Sequence, residues 1–246
     1  MAEISKTLDD GLRVLAELAE SGPLTASEVG RRLGLHRTVA YRLLVTLQQR
    51  GFVTRQDDGY LPGAALLEIA ERVQPALRAA ATRLITELRD EIGETVILSV
   101  AEGDHSAVVD ESVAVSRDML RVVHGIGSRT PLHLGCGGLV LLAYLPSSEI
   151  ERITQASENP DRVRRALEGV HALGYSVSHD ELRQGVHGLA VPVFDHARHP
   201  IASLAVLVPT TRSSTLLDHL DALNAAASRI GEAVQLRSTL GGRPRA

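Results

Sequence analysis

The stretch between Thr25 and Leu61 constrains the fold of this chain more than any other part of the sequence. Thr25 and Glu28 have the spacing of a capping box, which predicts that a helix begins there and ends near Gly34. A second amphipathic helix is predicted immediately afterwards, and Gly51 ends it. The residues expected on the buried face of this second helix are Val39, Ala40, Leu43, Leu44 and Leu47.

A β-hairpin pattern follows the second helix directly. Residues 52–55 favour a strand, residues 56–59 form a turn that ends in Asp-Gly, and residues 60–61 begin the return strand. Before the stretch, apolar residues at helical spacing between Leu8 and Ala19 predict one more helix, which would pack beneath the motif. Helix, tight turn, helix and hairpin in succession predict a winged helix-turn-helix.

Positive charge is concentrated in this motif. The segment from Arg31 to Arg55 contains no acidic residue, whereas the whole chain has 26 basic and 30 acidic residues and a formal charge of −4. Counterion release from closely spaced phosphates favours binding of such a segment to double-stranded DNA. The second helix of this motif enters the major groove by its N-terminal end. The side chains expected in the groove are Arg37, Thr38, Tyr41 and Arg42, and Arg55 in the hairpin is expected at a phosphate or in the minor groove.

Less specific interpretations of the same residues stay open. A helical pair with a basic outer face can be a solvated surface. Arg42 can contact a phosphate or pair with an acid, Thr38 can merely cap the helix, and Tyr41 can merely cover its surface.

Composition limits the remaining classes of protein. The first residues, MAEISK, lack the apolar region of a secretory signal, and the longest apolar runs are too short to span a bilayer. Cys136 is the only cysteine, so no internal disulfide can form, and a reducing cytoplasm is the expected location. Aromatic residues make up only 2% of the chain, which disfavours binding of single-stranded nucleic acid by base stacking.

Beyond the motif, the pattern changes to a helical connector and then to a set of strands and helices that predicts an α+β domain. We expect a DNA-binding domain at 1–63, a helical linker at 64–75, an effector-binding domain at 76–240 and a disordered tail at 241–246. The predicted strands are 95–101, 107–111, 120–124, 175–178, 186–194 and 201–208, and the predicted helices are 139–144, 147–157, 161–173 and 216–240, with a Gly-rich loop at 125–138.

With these elements in place, the chain resembles the IclR family of transcriptional regulators along nearly its whole length. The resemblance implies an N-terminal winged helix-turn-helix, a helical linker and a C-terminal GAF-like effector-binding domain with a mixed, mostly antiparallel sheet. It also implies homodimers or homotetramers bound to a pseudo-palindromic DNA operator. The sequences that carry it are HRTVAYRLLVTLQQRGFV with Tyr60-Leu61-x-Gly63, GETVILSV, TPLHLGCGG and GYSVSHDELRQGVHGLAVPVFD.

The resemblance also implies where a small-molecule effector binds. The N–H groups of the Gly-rich helix start at 135–138 can bind a carboxylate, and the adjacent sheet supplies an apolar wall. Many relatives have Gly-Lys-Ala where this chain has Gly-Leu-Val at 138–140, and relatives that sense small polar acids carry polar side chains in place of Ala205 and Leu207. We therefore expect an organic acid with a hydrophobic or aromatic body, unless Ala205 and Leu207 face the core. The implied pocket residues are Met119, Val122, Thr130, Cys136, Gly137, Ser178, Val186, Gly188, Ala205 and Leu207.

Together these features predict a ligand-responsive transcriptional regulator, expected to be a repressor, although the sequence leaves the direction of regulation open. Two other classes remain: a ligand-binding module that uses the helix-turn-helix for protein contacts or dimerisation, and a cysteine-dependent enzyme. The residues considered for the enzyme are Cys136, His133, Asp180 and His187. No nucleophile signature surrounds Cys136, no histidine pair has metal-ligand spacing with an acid, and no phosphate-binding Gly-Lys-Ser/Thr motif is present. We therefore expect no catalytic residue, no metal and no cofactor.

Overall fold

A computed structural model of the chain describes the backbone of residues 4–114 and 122–241, and the side chains up to residue 236. The chain forms two compact units, of which the first ends at Val73 and the second begins at Gln74. Each unit has its own apolar core.

The first unit begins with three helices and continues into a two-stranded antiparallel sheet. The predicted capping box is present: Thr25 Oγ1 accepts a hydrogen bond from the Glu28 N–H at 3.3 Å, and the Glu28 carboxylate accepts one from the Thr25 N–H at 2.8 Å. Gly34, with φ +67, ends the same helix. The elements are α1 (Lys6–Ser21), α2 (Ala26–Leu33), α3 (Arg37–Gln49), β1 (Val53–Gln56), β2 (Gly59–Pro62) and α4 (Ala65–Ala70).

The core of the first unit joins α1, α2 and α3 to the hairpin. Ala40 and Leu44 of α3 are fully buried, but Val39, predicted on the same face, is 41% exposed. The prediction for Val39 was wrong because the buried stripe of α3 is narrower than its apolar pattern, and Leu43 and Leu47 are only half-buried. The buried apolar residues of this core are Val14, Leu18, Leu24, Val29, Ala40, Leu44, Val53 and Tyr60.

The hairpin is attached to the segment between α1 and α2. Leu24 and Tyr60 form an antiparallel bridge, in which the Leu24 N–H donates to the Tyr60 carbonyl at 3.1 Å and the Tyr60 N–H donates to the Leu24 carbonyl at 2.9 Å. A Cβ at Gly59 would lie 2.7 Å from the Leu24 carbonyl carbon, so glycine permits this close approach. Backbone contacts therefore hold the hairpin beside the helices.

The second unit contains a six-stranded sheet with helices on both faces. Its elements are α5 (Pro75–Ile92), β3 (Thr95–Glu102), β4 (His105–Ser112), β5 (Arg129–Pro131), α6 (Gly135–Leu142), α7 (Ser147–Gln155), α8 (Pro160–Leu173), β6 (Ser176–His179), β7 (Val186–Phe194), β8 (Pro200–Pro209), a 3-10 segment (Thr210–His219) and α9 (Leu220–Gly241). The strand order is β5-β4-β3-β8-β7-β6. The fold class is α+β as predicted, and every pairing among the described strands is antiparallel, without a parallel component.

The sheet separates two apolar layers, because alternate residues of each strand face opposite sides. On β3, Leu98 belongs to the layer with α5 and α9, whereas Ile97 belongs to the layer with α6. On β8, Val206 and Ala205 divide in the same way. Side chains from several strands therefore converge beneath α6.

Helix α6 starts earlier than predicted, at Gly135 inside the expected loop. The Glu181 carboxylate accepts a hydrogen bond from the Gly135 N–H at 2.9 Å and caps the helix from a distant part of the chain. Local glycine content suggested a loop, but this tertiary contact stabilises a helical turn there.

Two other predicted boundaries also differ. Residues 122–124 form no strand, and residues 120–121 of that predicted strand lie outside the described residues. The Glu111 carboxylate instead accepts hydrogen bonds from the backbone of residues 124–125 and holds them as a loop. The helix predicted at 216–240 begins only at Leu220, after the 3-10 segment.

Candidate functional site

The start of α3 forms an exposed face of the first unit. Arg37, Thr38, Tyr41 and Arg42, which were predicted to enter the major groove, are all exposed there, and Tyr41 is 50% exposed. His36 caps the helix, because its Nδ1 accepts a hydrogen bond from the Thr38 N–H at 3.3 Å. The structure therefore brings the four predicted side chains to one helix end that does not take part in the core.

Arginines of this basic segment are mostly free of carboxylates. Arg32 is the exception, since it binds the Glu17 carboxylate at 2.8 Å and the Ser21 hydroxyl at 2.6 Å. The positive charge of the segment is therefore largely unneutralised, as a polyanionic partner requires. Within the described residues, no ion pair engages Arg31, Arg37, Arg42, Arg50 or Arg55.

Arg55 extends from β1 next to the same helix end. Its guanidinium carbon lies 5.7 Å from the centroid of the Tyr60 ring, a contact that orients the side chain. A groove between the starts of α2 and α3 and the hairpin is lined by Arg37, Tyr41 and Arg55. Asp57 at the hairpin turn lines it too, so the groove contains one carboxylate beside the basic side chains.

Sequence reasoning missed two residues of this face, His36 and Val39. His36 was treated as part of the turn, although its imidazole caps α3. Val39 was assigned to the core by its apolar character, and nothing in the sequence signalled that it is exposed. Apolar side chains in the major groove can contact the thymine methyl group, which makes Val39 a candidate base contact.

The second unit contains a pocket between the start of α6 and the sheet. The space between its lining residues is about 600 Å³ when the open solvent at its mouth is included. Val123, Leu182 and Arg183 are lining residues that remain exposed, so they mark the opening. Ile97 and Leu207 supply apolar wall inside it.

The pocket gathers most of the residues that the family resemblance implied. Ala205 is an exception: it is 1% exposed, packs in the apolar layer beneath α6 and does not line the pocket. Met119 lies outside the described residues. Those that line the pocket are Val122, Thr130, Cys136, Gly137, Ser178, Val186, Gly188 and Leu207.

Several pocket residues were not found from the sequence. Ser99 lies two positions from Ile97 on the same face of β3, so strand alternation was a usable signal for it. No comparable signal placed His124 near Arg183, because the two are far apart along the chain. The pocket residues missed are Ile97, Ser99, Ser106, Val123, His124, Leu134, Gly138, Leu182 and Arg183.

The start of α6 was predicted to bind the carboxylate of a ligand. In the structure it already binds a carboxylate of the chain itself. Glu181 accepts the Gly135 N–H at 2.9 Å and forms an ion pair with Arg162. A second carboxylate at this N–H would meet the negative charge of Glu181. The Gly135 N–H is therefore not open to the acid group of a ligand.

Cys136 is part of the pocket wall and packs against Gly188 and Ser178. Burial raises the pKa of its thiol to about 11, so the group is an uncharged thiol at neutral pH and not an activated nucleophile. His187, which was considered as a base, is 2.7 Å from His179 between their Nδ1 atoms. These contacts favour a packing role for Cys136.

We expect Cys136 in the folded protein to react with iodoacetamide at pH 8 about two hundred times more slowly than an ordinary cysteine of pKa about 8.5, because little thiolate is present. Since Cys136 is the only cysteine, the urea-unfolded protein is a matched control. Mass spectrometry of the alkylated fraction against time gives both rates. Equal rates before and after unfolding would contradict the buried, protonated thiol.

Neither a metal cluster nor a membrane-spanning helix is found in the ranges 4–114 and 122–241. No group of three or more His, Cys, Asp or Glu side chains there is arranged to hold a metal ion. No helix there has both the length and the hydropathy needed to cross a membrane.

A winged helix-turn-helix unit followed by an α+β unit with a pocket between a helix start and the sheet defines the class of ligand-responsive transcription regulators. Residues 72–235 match the family model described as bacterial transcriptional regulator IclR C-terminal, and residues 7–57 match the IclR helix-turn-helix domain. The chain therefore belongs to the IclR family and is an IclR-type transcriptional regulator with a helix-turn-helix and an effector-binding domain. The predicted family and fold class are confirmed.

Curated relatives and solved structures agree with this assignment. The transcriptional repressor IclR of Escherichia coli (strain K12) is 27% identical over 228 residues, covering 84% of this chain and 81% of the relative. The crystal structure of HmgR of Pseudomonas aeruginosa matches with a TM-score of 0.69 and 28% identity over 92% of this chain and all (100%) of that one. An IclR homologue of Microbacterium hydrocarbonoxydans, solved with 4-hydroxybenzoate, matches with a TM-score of 0.79 at 23% identity, covering 94% of this chain and 100% of the other, and so shares the fold.

Proposed function

We propose that this protein is a cytoplasmic, ligand-responsive repressor that binds a pseudo-palindromic operator in double-stranded DNA as a homodimer or homotetramer. The observation that carries the proposal is the exposed start of α3, where Arg37 and Arg42 have no carboxylate partner within the described chain. Such a helix end fits the major groove, and two copies would read half-sites about one helical turn apart. The proposed DNA contacts are Arg37, Thr38, Tyr41, Arg42 and Arg55.

A second copy would also cover an apolar stripe that begins just before α1 and continues along it. Ile4, Leu8 and Leu12 recur every four residues and are 80%, 64% and 57% exposed. Exposed side chains of this size in a regular stripe are typical of an interaction surface. The stripe supports the proposed dimer, which an operator with two-fold symmetry requires.

The proposed effector is a small organic acid with an apolar or aromatic body, and we propose no catalysis, cofactor or metal. Ile97, Val122 and Leu207 make the middle of the pocket apolar, which supports this class of ligand. The 4-hydroxybenzoate held by the Microbacterium relative is a ligand of the same class. For regulation, the effector must bind the DNA-competent and DNA-incompetent forms with different affinity.

For the organisation of the chain, we propose a DNA-binding domain at 1–63, a helical linker at 64–75, an effector-binding domain at 76–240 and a tail at 241–246. The helix α4 supports a linker in this place, because it is short and none of its residues is buried. Gln74, with φ +46, interrupts the helical path immediately before α5.

A gel-shift titration tests the proposed function. The purified protein is titrated against the intergenic DNA beside its own gene and against a shuffled fragment of the same length, at 50 and 200 mM salt. We expect the natural fragment to stay bound at the higher salt, where binding to the shuffled fragment fades, since non-specific binding is mainly electrostatic. Equal affinity for both fragments at both salt concentrations would reject operator recognition.

A further inference from the structure

The opening of the pocket carries a positive side chain that can contact a ligand carboxylate. Arg183 lines the opening of the pocket and is exposed. Its Nη1 donates to the Val123 carbonyl at 3.3 Å, and within the described residues no carboxylate pairs with it. Arg162, by contrast, is neutralised by Glu181. Arg183 thus places an unneutralised guanidinium at the opening, with Nε and Nη2 free to form a two-point contact with a carboxylate.

His124 lines the pocket beside Arg183. Burial lowers the pKa of His124, and Arg183 lowers it further against the raising effect of Glu111, so the imidazole is neutral at pH 7. The Glu111 carboxylate accepts hydrogen bonds from the backbone N–H groups of His124 and Gly125 at 2.7 and 3.0 Å, which partly balance its charge. Positive charge at the opening therefore comes from Arg183, and His124 adds a neutral hydrogen-bonding group.

Hydroxyl groups line another part of the pocket. Ser106 and Thr130 lie opposite each other on β4 and β5, and Ser99 lies on the neighbouring β3. Ser99 and Ser106 are only 3% and 5% exposed, and no hydrogen bond engages either hydroxyl within the described chain. Both residues line the pocket, so a polar atom of a ligand or a bound water can satisfy their hydroxyls.

The charged opening and the hydroxyl groups are separated by an apolar middle. Thr95 Oγ1 donates to the Val122 carbonyl at 2.8 Å, which fixes the segment preceding His124 at the start of β3. Ser99 lies four residues further along the strand, on the order of 13 Å away. Ile97 and Leu207 line the space between. A ligand that satisfies both ends must therefore carry an apolar body of roughly the size of a ring.

We infer that the effector is a monocarboxylic acid with a ring-sized apolar body and a hydroxyl or oxo group at the end remote from the carboxylate. Arg183 binds the carboxylate, and the hydroxyls of Ser99 and Ser106 bind the remote polar group. The inference rests on the proposed effector-sensing function and assigns the polarity and orientation of the ligand. It makes Arg183 a specificity-determining residue outside the set that the family resemblance implied.

Isothermal titration calorimetry with matched probes tests this assignment on the full-length protein. The probes are 4-hydroxybenzoate, its methyl ester and benzoate. The variants are Arg183→Gln, Ser106→Ala and a control, Arg165→Gln, which removes an exposed arginine of α8 that does not line the pocket. Circular dichroism melting of each variant reports whether the fold is intact.

We expect Arg183→Gln to weaken 4-hydroxybenzoate about 10- to 100-fold while changing the methyl ester less than about twofold, because only the acid makes a charge-assisted contact. Arg165→Gln should leave both affinities unchanged. Ser106→Ala should remove the advantage of 4-hydroxybenzoate over benzoate, about fivefold for one neutral hydrogen bond.

Three results would overturn the inference. They are equal loss of the acid and the ester in Arg183→Gln, tighter binding of the ester than of the acid by the unmodified protein, and no binding of either acid by the unmodified protein. A gel shift on the same preparations separates these results from a failure of the proposed function. Retained operator binding would leave the regulator assignment in place with a different class of effector.

Discussion

Replacing Arg37 and Arg42 together by glutamate is expected to reduce operator affinity about a thousandfold or more, the largest effect expected of any change in the first unit. Both side chains are exposed at the start of α3 and have no carboxylate partner in the described chain. A good arginine–base contact contributes about 1–3 kcal/mol, and each introduced carboxylate adds repulsion from the phosphates. Fluorescence polarisation with a labelled operator fragment measures the loss.

The matched control replaces two arginines of the second unit, Arg165 and Arg198, by glutamate. Both are exposed and carry no ion pair within the described residues. This control variant changes the net charge of the protein by the same amount as the double glutamate variant of α3. If affinity depends on local contacts of Arg37 and Arg42, the control should still bind the operator. Single alanine variants of Arg37 and Arg42 then separate two roles. Loss of a base contact relaxes sequence specificity at one operator position. Loss of a phosphate contact reduces the slope of log affinity against log salt concentration by about 1. Wild-type affinity in the double glutamate variant would remove the proposed interface.

Replacing Gly188 by alanine is expected to abolish or strongly weaken effector binding, by at least about tenfold, while operator binding persists. A Cβ at this position would lie 2.6 Å from Cys136 Sγ, 3.1 Å from Ser178 Oγ and 3.2 Å from Leu207 Cδ2, all in the pocket wall. Overpacking of this kind costs about 1–3 kcal/mol, which outweighs the gain of about 0.5–1 kcal/mol from removing a glycine in a strand. Thermal melting with and without ligand, and operator titrations, measure the effects.

Gly169 on α8 provides the control for this change, because a Cβ there meets nothing within 4 Å. Alanine in place of this helical glycine should stabilise the second unit by about 0.5–1 kcal/mol and leave ligand binding unchanged. If Gly188→Ala bound the effector as tightly as the unmodified protein, the pocket would not be the effector site. If the folded Gly188→Ala variant lost operator binding as well, the substitution would affect DNA binding and not the pocket alone.

Effector control of DNA binding can be expressed as one coupling free energy. Couplings between two sites in a protein are typically about 1–3 kcal/mol, or roughly 5- to 150-fold in affinity, and they are reciprocal. An effector that releases the operator must therefore bind more weakly when the operator is bound. Gly188→Ala is expected to remove this coupling by weakening effector binding. The double glutamate variant is expected to remove it by weakening DNA binding.

Much of the first unit could be predicted from the sequence because its signals are local. The capping residues Thr25 and Glu28, the helix end at Gly34 and the hairpin turn each depend on neighbours within a few residues. The basic segment was equally visible, since it is defined by residue types alone. The prediction for Val39 was wrong because the width of a buried stripe depends on what packs against the helix, which periodicity does not report.

The pocket shows the opposite case. Glu181 caps α6 at Gly135 across 46 positions of sequence, and Arg183 reaches the Val123 carbonyl across 60. Neither contact leaves a pattern in the local sequence, so the acid group was expected at the helix start and not at Arg183. Ser99 and Ser106 similarly gain meaning only when the register of β3, β4 and β5 brings their hydroxyls into the same cavity.

The sequence by itself determined the winged helix-turn-helix, the α+β class of the second unit and the family. Those properties follow from residue type and short-range spacing. The tertiary structure alone decided that Glu181 occupies the start of α6, that Ala205 lies in the core, and that Arg183 remains unpaired at the opening. The physical reason is that electrostatic partners and burial are properties of groups brought together through space, whatever their separation along the chain.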